Sequence, residues 1–149
     1  MTDDNPRLIE VDQFLPHPPE RVWRALTEPE LLARWLMPTT FRLAEGHPFT
    51  FTTAPDPGGR FDGVIHCRVL DFEAPSRLRI SWRADGLDST VTWRLTPEGT
   101  GTRLFLTHDG FAPDDPAQQL IRGMLGGGWR SRVLPALADL LARRPAGDP

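Results

Sequence analysis

Three stretches of strict two-residue alternation constrain this chain more than any other feature. Leu78, Ile80 and Trp82 alternate with Arg77, Arg79, Ser81 and Arg83. Val91, Trp93 and Leu95 alternate with Thr90, Thr92 and Arg94, and Leu104, Leu106 and His108 share one face of residues 103–108. Successive side chains of a strand point to opposite faces, so each stretch describes a strand with one buried and one wet side. Asp85-Gly86 is a hairpin signal and Pro97-Glu98-Gly99 a turn. The pattern predicts consecutive antiparallel strands whose apolar faces merge into one surface, and such a surface must be covered.

The cover is predicted at the C-terminal end. Asp115-Pro116 supplies a helix cap and a first-turn proline, with Gln118 placed to complete a capping box. Leu120, Ile121, Met124 and Leu125 form an apolar stripe. After Gly126, Gly127 and Gly128, a second stripe of Trp129, Val133, Leu137, Leu140 and Leu141 recurs at spacings of three and four. Glycine's backbone freedom predicts a break at the triplet, with the preceding segment free to act as a lid, and Pro135 predicts a bend.

Before the alternating region, Leu8–Leu15 reads as a first strand, stopped by Pro16-His17-Pro18-Pro19. A short helix over residues 18–26 buries Val22, Ala25 and Leu26. Thr27-Glu28-Pro29-Glu30 reads as a capping box opening a second helix, with Leu31, Leu32 and Trp35 on one face and Pro38 at its end. Phe49 and Phe51 alternate with threonines. Asp56-Pro57-Gly58-Gly59 is a turn, and the following strand, residues 60–72, is long enough to hold a bulge. Such a bulge would reverse the facing of His66 and Arg68, so periodicity leaves both open. The element order predicts an α+β fold, a curved antiparallel sheet gripping one long helix. The space between sheet and helix is the natural ligand site.

The 149 residues suit one domain with its own core. The lone cysteine, Cys67, excludes an intrachain disulfide, and no apolar run reaches the roughly 20 residues of a membrane span. The acidic opening MTDDNPRLIE is unlike a secretory signal, so the expected address is the cytoplasm. A net charge of -3 argues against binding to nucleic acid, and Arg79, Arg83, Arg94 and Arg103 fall on the outer, solvated sheet face. His17, His47, His66 and His108 are far apart in sequence, with no ligand pair at helical spacing. No phosphate loop or nucleophile elbow is present, so neither a metal nor a cofactor is expected.

Residues 18–35, PPERVWRALTEPELLARW, closely resemble the opening signature of the activator of Hsp90 ATPase homologue-like branch of the START-like (SRPBCC, helix-grip) superfamily. Glu45-Gly46-His47-Pro48-Phe49, Ala74-Pro75-Ser76-Arg77-Leu78 with Ser81-Trp82, and Ser89 through Leu95 continue the likeness. Gly101-Thr102-Arg103-Leu104, Thr107 through Phe111 and Gly128-Trp129 complete it. Two departures stand out: His47 replaces a usual glycine, and Pro135 lies inside the terminal helix. The resemblance implies one START-like domain over residues 1–143, with 144–149 a loose tail. It also implies a cavity between sheet and helix, in a superfamily whose members bind apolar molecules and some of which are cyclases or hydrolases. With no specific catalytic constellation in the sequence, the leading expectation is binding of a small, mainly apolar molecule without catalysis.

Trp82, Trp93, Phe49, Phe51 and His108 from the strands are expected to line that cavity. Trp35 joins them from the second short helix, and Met124, Trp129 and Val133 from the terminal segment. His108 would orient the ligand by a hydrogen bond. Two rival readings remain: an enzyme of the cyclase or hydrolase kind, which needs a paired acid and base that the sequence does not display, and a chaperone-type protein-interaction module. A homodimer and a chaperone are the other partners left open.

Overall fold

The computed structural model describes residues 5–55, 61–84 and 86–143. Chain order is β1 (Leu8–Leu15), α1 (Pro19–Thr27), α2 (Pro29–Trp35), β2 (Pro48–Thr52), β3 (Val64–Glu73), β4 (Arg77–Ala84), β5 (Leu87–Glu98) and β6 (Gly101–Asp109). Then follow α3 (Pro116–Gly128), a π-helical turn (Trp129–Val133) and α4 (Leu134–Arg143). The strands form one curled antiparallel sheet in the order β1-β6-β5-β4-β3-β2. Strands β2 to β6 are thus the expected meander, and β1 returns to close beside β6. With the terminal helix across its apolar face, this is the α+β helix-grip fold.

Register explains why the alternation works. Ile9, His108, Val91, Ile80 and Val69 lie side by side across five strands, and all five are buried. The outer face carries the arginines. Arg79 bonds Asp71 at 3.0 Å, Arg103 pairs with Asp12 and Glu98 at 3.0 Å each, and the Arg94 guanidinium lies over the Phe105 ring. A bulge between Val69 and Asp71 sits late in β3, so Ile65, Cys67 and Val69 face inward while His66 and Arg68 face solvent. That strand begins at Val64 rather than at residue 60. The Asp56–Gly59 turn and Asp85 lie outside the described residues.

Two caps differ from expectation. Thr27 closes α1 instead of capping α2: its hydroxyl donates to the Trp23 carbonyl at 2.8 Å, the four-back bond available to a threonine still inside a helix. Glu28 takes the cap position of α2 without a side-chain capping bond; its carboxylate accepts from Arg24 Nε at 3.2 Å instead. Asp115 does cap α3, accepting from the Ala117 and Gln118 amides at 2.9 and 3.4 Å. Gln118, however, accepts from the Ala112 amide at 2.7 Å, beyond the capping-box partner.

The terminal segment corrects the reading of the glycine triplet. Gly126, Gly127 and Gly128 do not break the helix, which runs on through them to Arg143. Packing overrides weak propensity here. Gly126 is buried, and a Cβ on it would meet Arg130 Nη1 at 3.1 Å and Ile9 Cγ2 at 3.7 Å, so the absence of a side chain lets the helix rest on β1. Gly127 has open space around its would-be Cβ. Gly127→Ala should therefore raise stability by about 0.5–1 kcal/mol in urea unfolding, as alanine does in an exposed helix interior. A loss of stability would mean that the triplet is not helical in solution.

The irregularity lies farther on. The Leu134 amide bonds the Trp129 carbonyl, five residues back, immediately before Pro135. A proline ring clashes with the carbonyl four residues earlier, and a widened turn relieves that conflict. It also changes the register. On a regular helix Trp129 and Leu134 would point about 140° apart, yet they are 2% and 1% exposed. The core stripe therefore runs Trp129, Leu134, Leu137 and Leu141, while Val133 and Leu140 are only partly buried.

Candidate functional site

The sheet and the terminal helix enclose space unevenly. Where α1 packs against β5, β6 and α4, Leu26, Leu95, Leu104, Leu137 and Leu141 belong to the solid core. Toward the other end the layers part around a cavity of about 630 Å³. This is an ordinary size for a small-molecule site.

Each wall has its own origin in the sequence. Ile65, Trp82, Ala84 and Leu87 form the sheet side, all from inward positions of β3, β4 and β5. Trp35, Leu36 and Met37 contribute from the end of α2, and the Trp35 indole is fixed by donating to the Ala25 carbonyl at 2.8 Å. Ile121, Met124, Leu125 and Gly128 line it from α3, Trp129, Arg132 and Val133 from the π-helical turn, and Ala136 from α4. Thr53 and Phe61 complete the rim. Met124 is 68% exposed and stands at the mouth. Among the described residues the wall carries one charged side chain, Arg132, one hydroxyl, Thr53, and no acid.

Five of the expected lining residues meet here: Trp35, Trp82, Met124, Trp129 and Val133. The structure places the other four elsewhere. Phe49 and Phe51 are 3% and 1% exposed, stacked edge-on at 5.5 Å beneath the sheet side of the site, and Phe51 backs Trp82 at 5.7 Å. Trp93 faces the helix but lies within the solid core, edge-on to Trp129 at 6.2 Å.

His108 is fully buried and has no access to the cavity wall. Its two nitrogens are occupied by protein partners. Trp129 Nε1–H donates to Nδ1 at 3.2 Å, while Nε2 lies 2.8 Å from Ser89 Oγ, which itself donates to the Trp82 carbonyl at 2.9 Å. An indole nitrogen only donates, so Nδ1 accepts and the proton resides on Nε2. Burial pushes the imidazole pKa down to about 3, consistent with this neutral form. The expectation that His108 orients a ligand directly gives way to a different arrangement: it ties Trp129 to Trp82, two walls of the cavity. The same geometry gives the Ser89–His108 pair no substrate to act on.

Cys67 is buried and its thiol is pushed up to about 12, so it is no nucleophile. Among the described residues no group of three histidines, cysteines or acids could hold a metal ion, and no helix is long and apolar enough to cross a membrane.

The residues that sequence reasoning missed fall into two groups. Ile65 carried a periodic signal, usable once the bulge fixed its parity. Leu36 and Met37, just beyond a helix end, carried none, and Arg132 belongs to a face that the π-helical turn redirects.

Comparison with known proteins agrees with this architecture. A protein from Mesorhizobium loti, MLL2253, is 36% identical, with 93% of this chain and 99% of that one aligned at a TM-score of 0.82. CalU16 from Micromonospora echinospora is 29% identical over 91% of this chain and 76% of its own, with a TM-score of 0.73. A Rhodobacter sphaeroides protein is 27% identical over 95% and 96%, at 0.74. No curated protein matches the chain. Residues 16–142 match the model of one family, described as Activator of Hsp90 ATPase homolog 1-like protein. On its signature, its helix-grip sheet and this match, the chain belongs to the Activator of Hsp90 ATPase homolog 1-like family.

Proposed function

We propose that this protein binds a small, mainly apolar molecule in the cavity between the sheet and the terminal helix. One observation carries the reading: a half-open cleft of about 630 Å³ lies between the sheet and the terminal helix, walled almost wholly by apolar side chains. An apolar wall of this extent left open to water gains free energy when a ligand covers it. Members of this fold bind hydrophobic ligands, which supports the same use here. Affinity would come from area removed from water, at about 25 cal/mol per Å².

Trp35, Trp82 and Trp129 make the wall a reporter. An apolar probe in the cavity should quench tryptophan fluorescence and raise the melting temperature by mass action, about 2.7 kcal/mol of added stability at one hundred times Kd. Met124→Glu, at the mouth, should abolish both effects without unfolding the chain. A screen of aliphatic, aromatic and polycyclic probes that gives neither quenching nor a thermal shift would overturn the reading.

A further inference from the structure

Resting on that reading, we infer that the ligand is an amphipathic acid, held with its apolar body in the cavity and its anionic head on Arg132. The charge pattern of the wall points there. Among the described lining residues Arg132 is the sole charged group and no carboxylate balances it. The other arginines near it are already engaged. Arg122 Nε donates to the Leu8 carbonyl at 2.8 Å, and Arg130 reaches the Glu10 carbonyl at 3.5 Å. Among the described residues Arg132 alone of these three makes no hydrogen bond or ion pair.

Its position is built by the fold. The π-helical turn sets Arg132 beside Trp129 and Val133 on the cavity side, and its guanidinium lies back along the helix, 3.6 Å from where a Cβ of Gly128 would stand. In a chain of net charge -3, the one charge on the described cavity lining is thus positive. A planar guanidinium offers paired donors that fit a carboxylate or phosphate edge, while a neutral ligand would leave them unused.

The experiment compares ligands of one tail and three heads: dodecanoate, dodecan-1-ol and dodecylamine, titrated at low salt with tryptophan fluorescence as readout. Wild type should bind dodecanoate about tenfold tighter than the alcohol, the scale of one charge-assisted hydrogen-bonded contact. Arg132→Gln should collapse that ratio, and Arg132→Glu should invert the order so that dodecylamine binds more tightly than dodecanoate. Arg130→Gln, which changes a cation that does not line the cavity, should keep the wild-type preference. Equal affinity for acid and alcohol, or a preference that survives Arg132→Glu, would overturn the inference while leaving the apolar cavity reading standing. If none of the three probes binds, the inference falls, while the apolar-cavity reading is decided by the wider screen of aliphatic, aromatic and polycyclic probes.

Discussion

A Trp129→Ala chain should lose about 3–5 kcal/mol of folding stability, the range for truncating a buried tryptophan. Trp129 is 2% exposed and lies at the junction of every layer. Its ring packs on Trp82 at 5.6 Å and on Trp93 at 6.2 Å, and its N–H serves His108. Removing the side chain joins the cavity to the space it vacates and leaves His108 Nδ1 buried without a donor. Trp129→Phe separates the two losses. It retains most of the ring and removes the N–H, so it should cost about 1–3 kcal/mol, the penalty for one unsatisfied buried acceptor. Urea unfolding of both variants checks this, with parallel slopes required for a simple stability change. A cost below 1 kcal/mol for the alanine variant would mean that Trp129 does not hold helix to sheet.

Acidification should destabilise the protein through His108. Its folded pKa, about 3, lies below the ordinary value of 6.5 because burial disfavours the cation. The unfolded chain therefore takes up a proton that the native chain refuses. The stabilisation is complete above pH 6.5 and is lost as pH falls from there toward 3, at about 1.4 kcal/mol per unit. Between pH 7 and pH 5 the loss from this one group is about 2 kcal/mol. The residues around the ring are Trp82, Trp129, Phe111 and Ser89, none of which titrates in this range. His17 is also lowered, by partial burial and by Arg21, and acts in the same direction. His108→Gln, which offers one acceptor and one donor without a titrating proton, isolates the effect. Its stability should change between pH 7 and pH 5 by about 2 kcal/mol less than wild type's does. Equal pH slopes in the two chains would show that His108 is protonated or exposed in the folded state.

The same histidine marks how far the candidate site was legible. Alternation placed Trp82, Trp93 and His108 on the covered face, and all three are there. Alternation reports only a face, however. Whether an inward side chain meets empty space or another side chain depends on what arrives from the opposite layer. Above Trp93 and His108 the Trp129 ring arrives; over Trp82 it arrives on one side only, leaving the other open to the cavity. The inward phenylalanines of β2 meet a similar fate, becoming backing for Trp82 rather than wall.

The existence of the strands, their apolar side, the meander and the covering helix were legible from residue order, because those follow from side-chain periods that each segment carries alone. β1 was predicted and found as Leu8–Leu15. The family signature was equally local, residing in residues 18–35. Tertiary structure alone decided the course of the terminal helix. Three glycines that locally favour a break stay helical because Gly126 rests on Ile9, and the extra residue of the π-helical turn lets Trp129 and Leu134 share the core. That turn in turn brings Arg132 and Val133 to the cavity. Their direction depends on the widened turn before Pro135 and on the packing of Trp129 against Trp82, Trp93 and His108, which the apolar period of the helix does not encode.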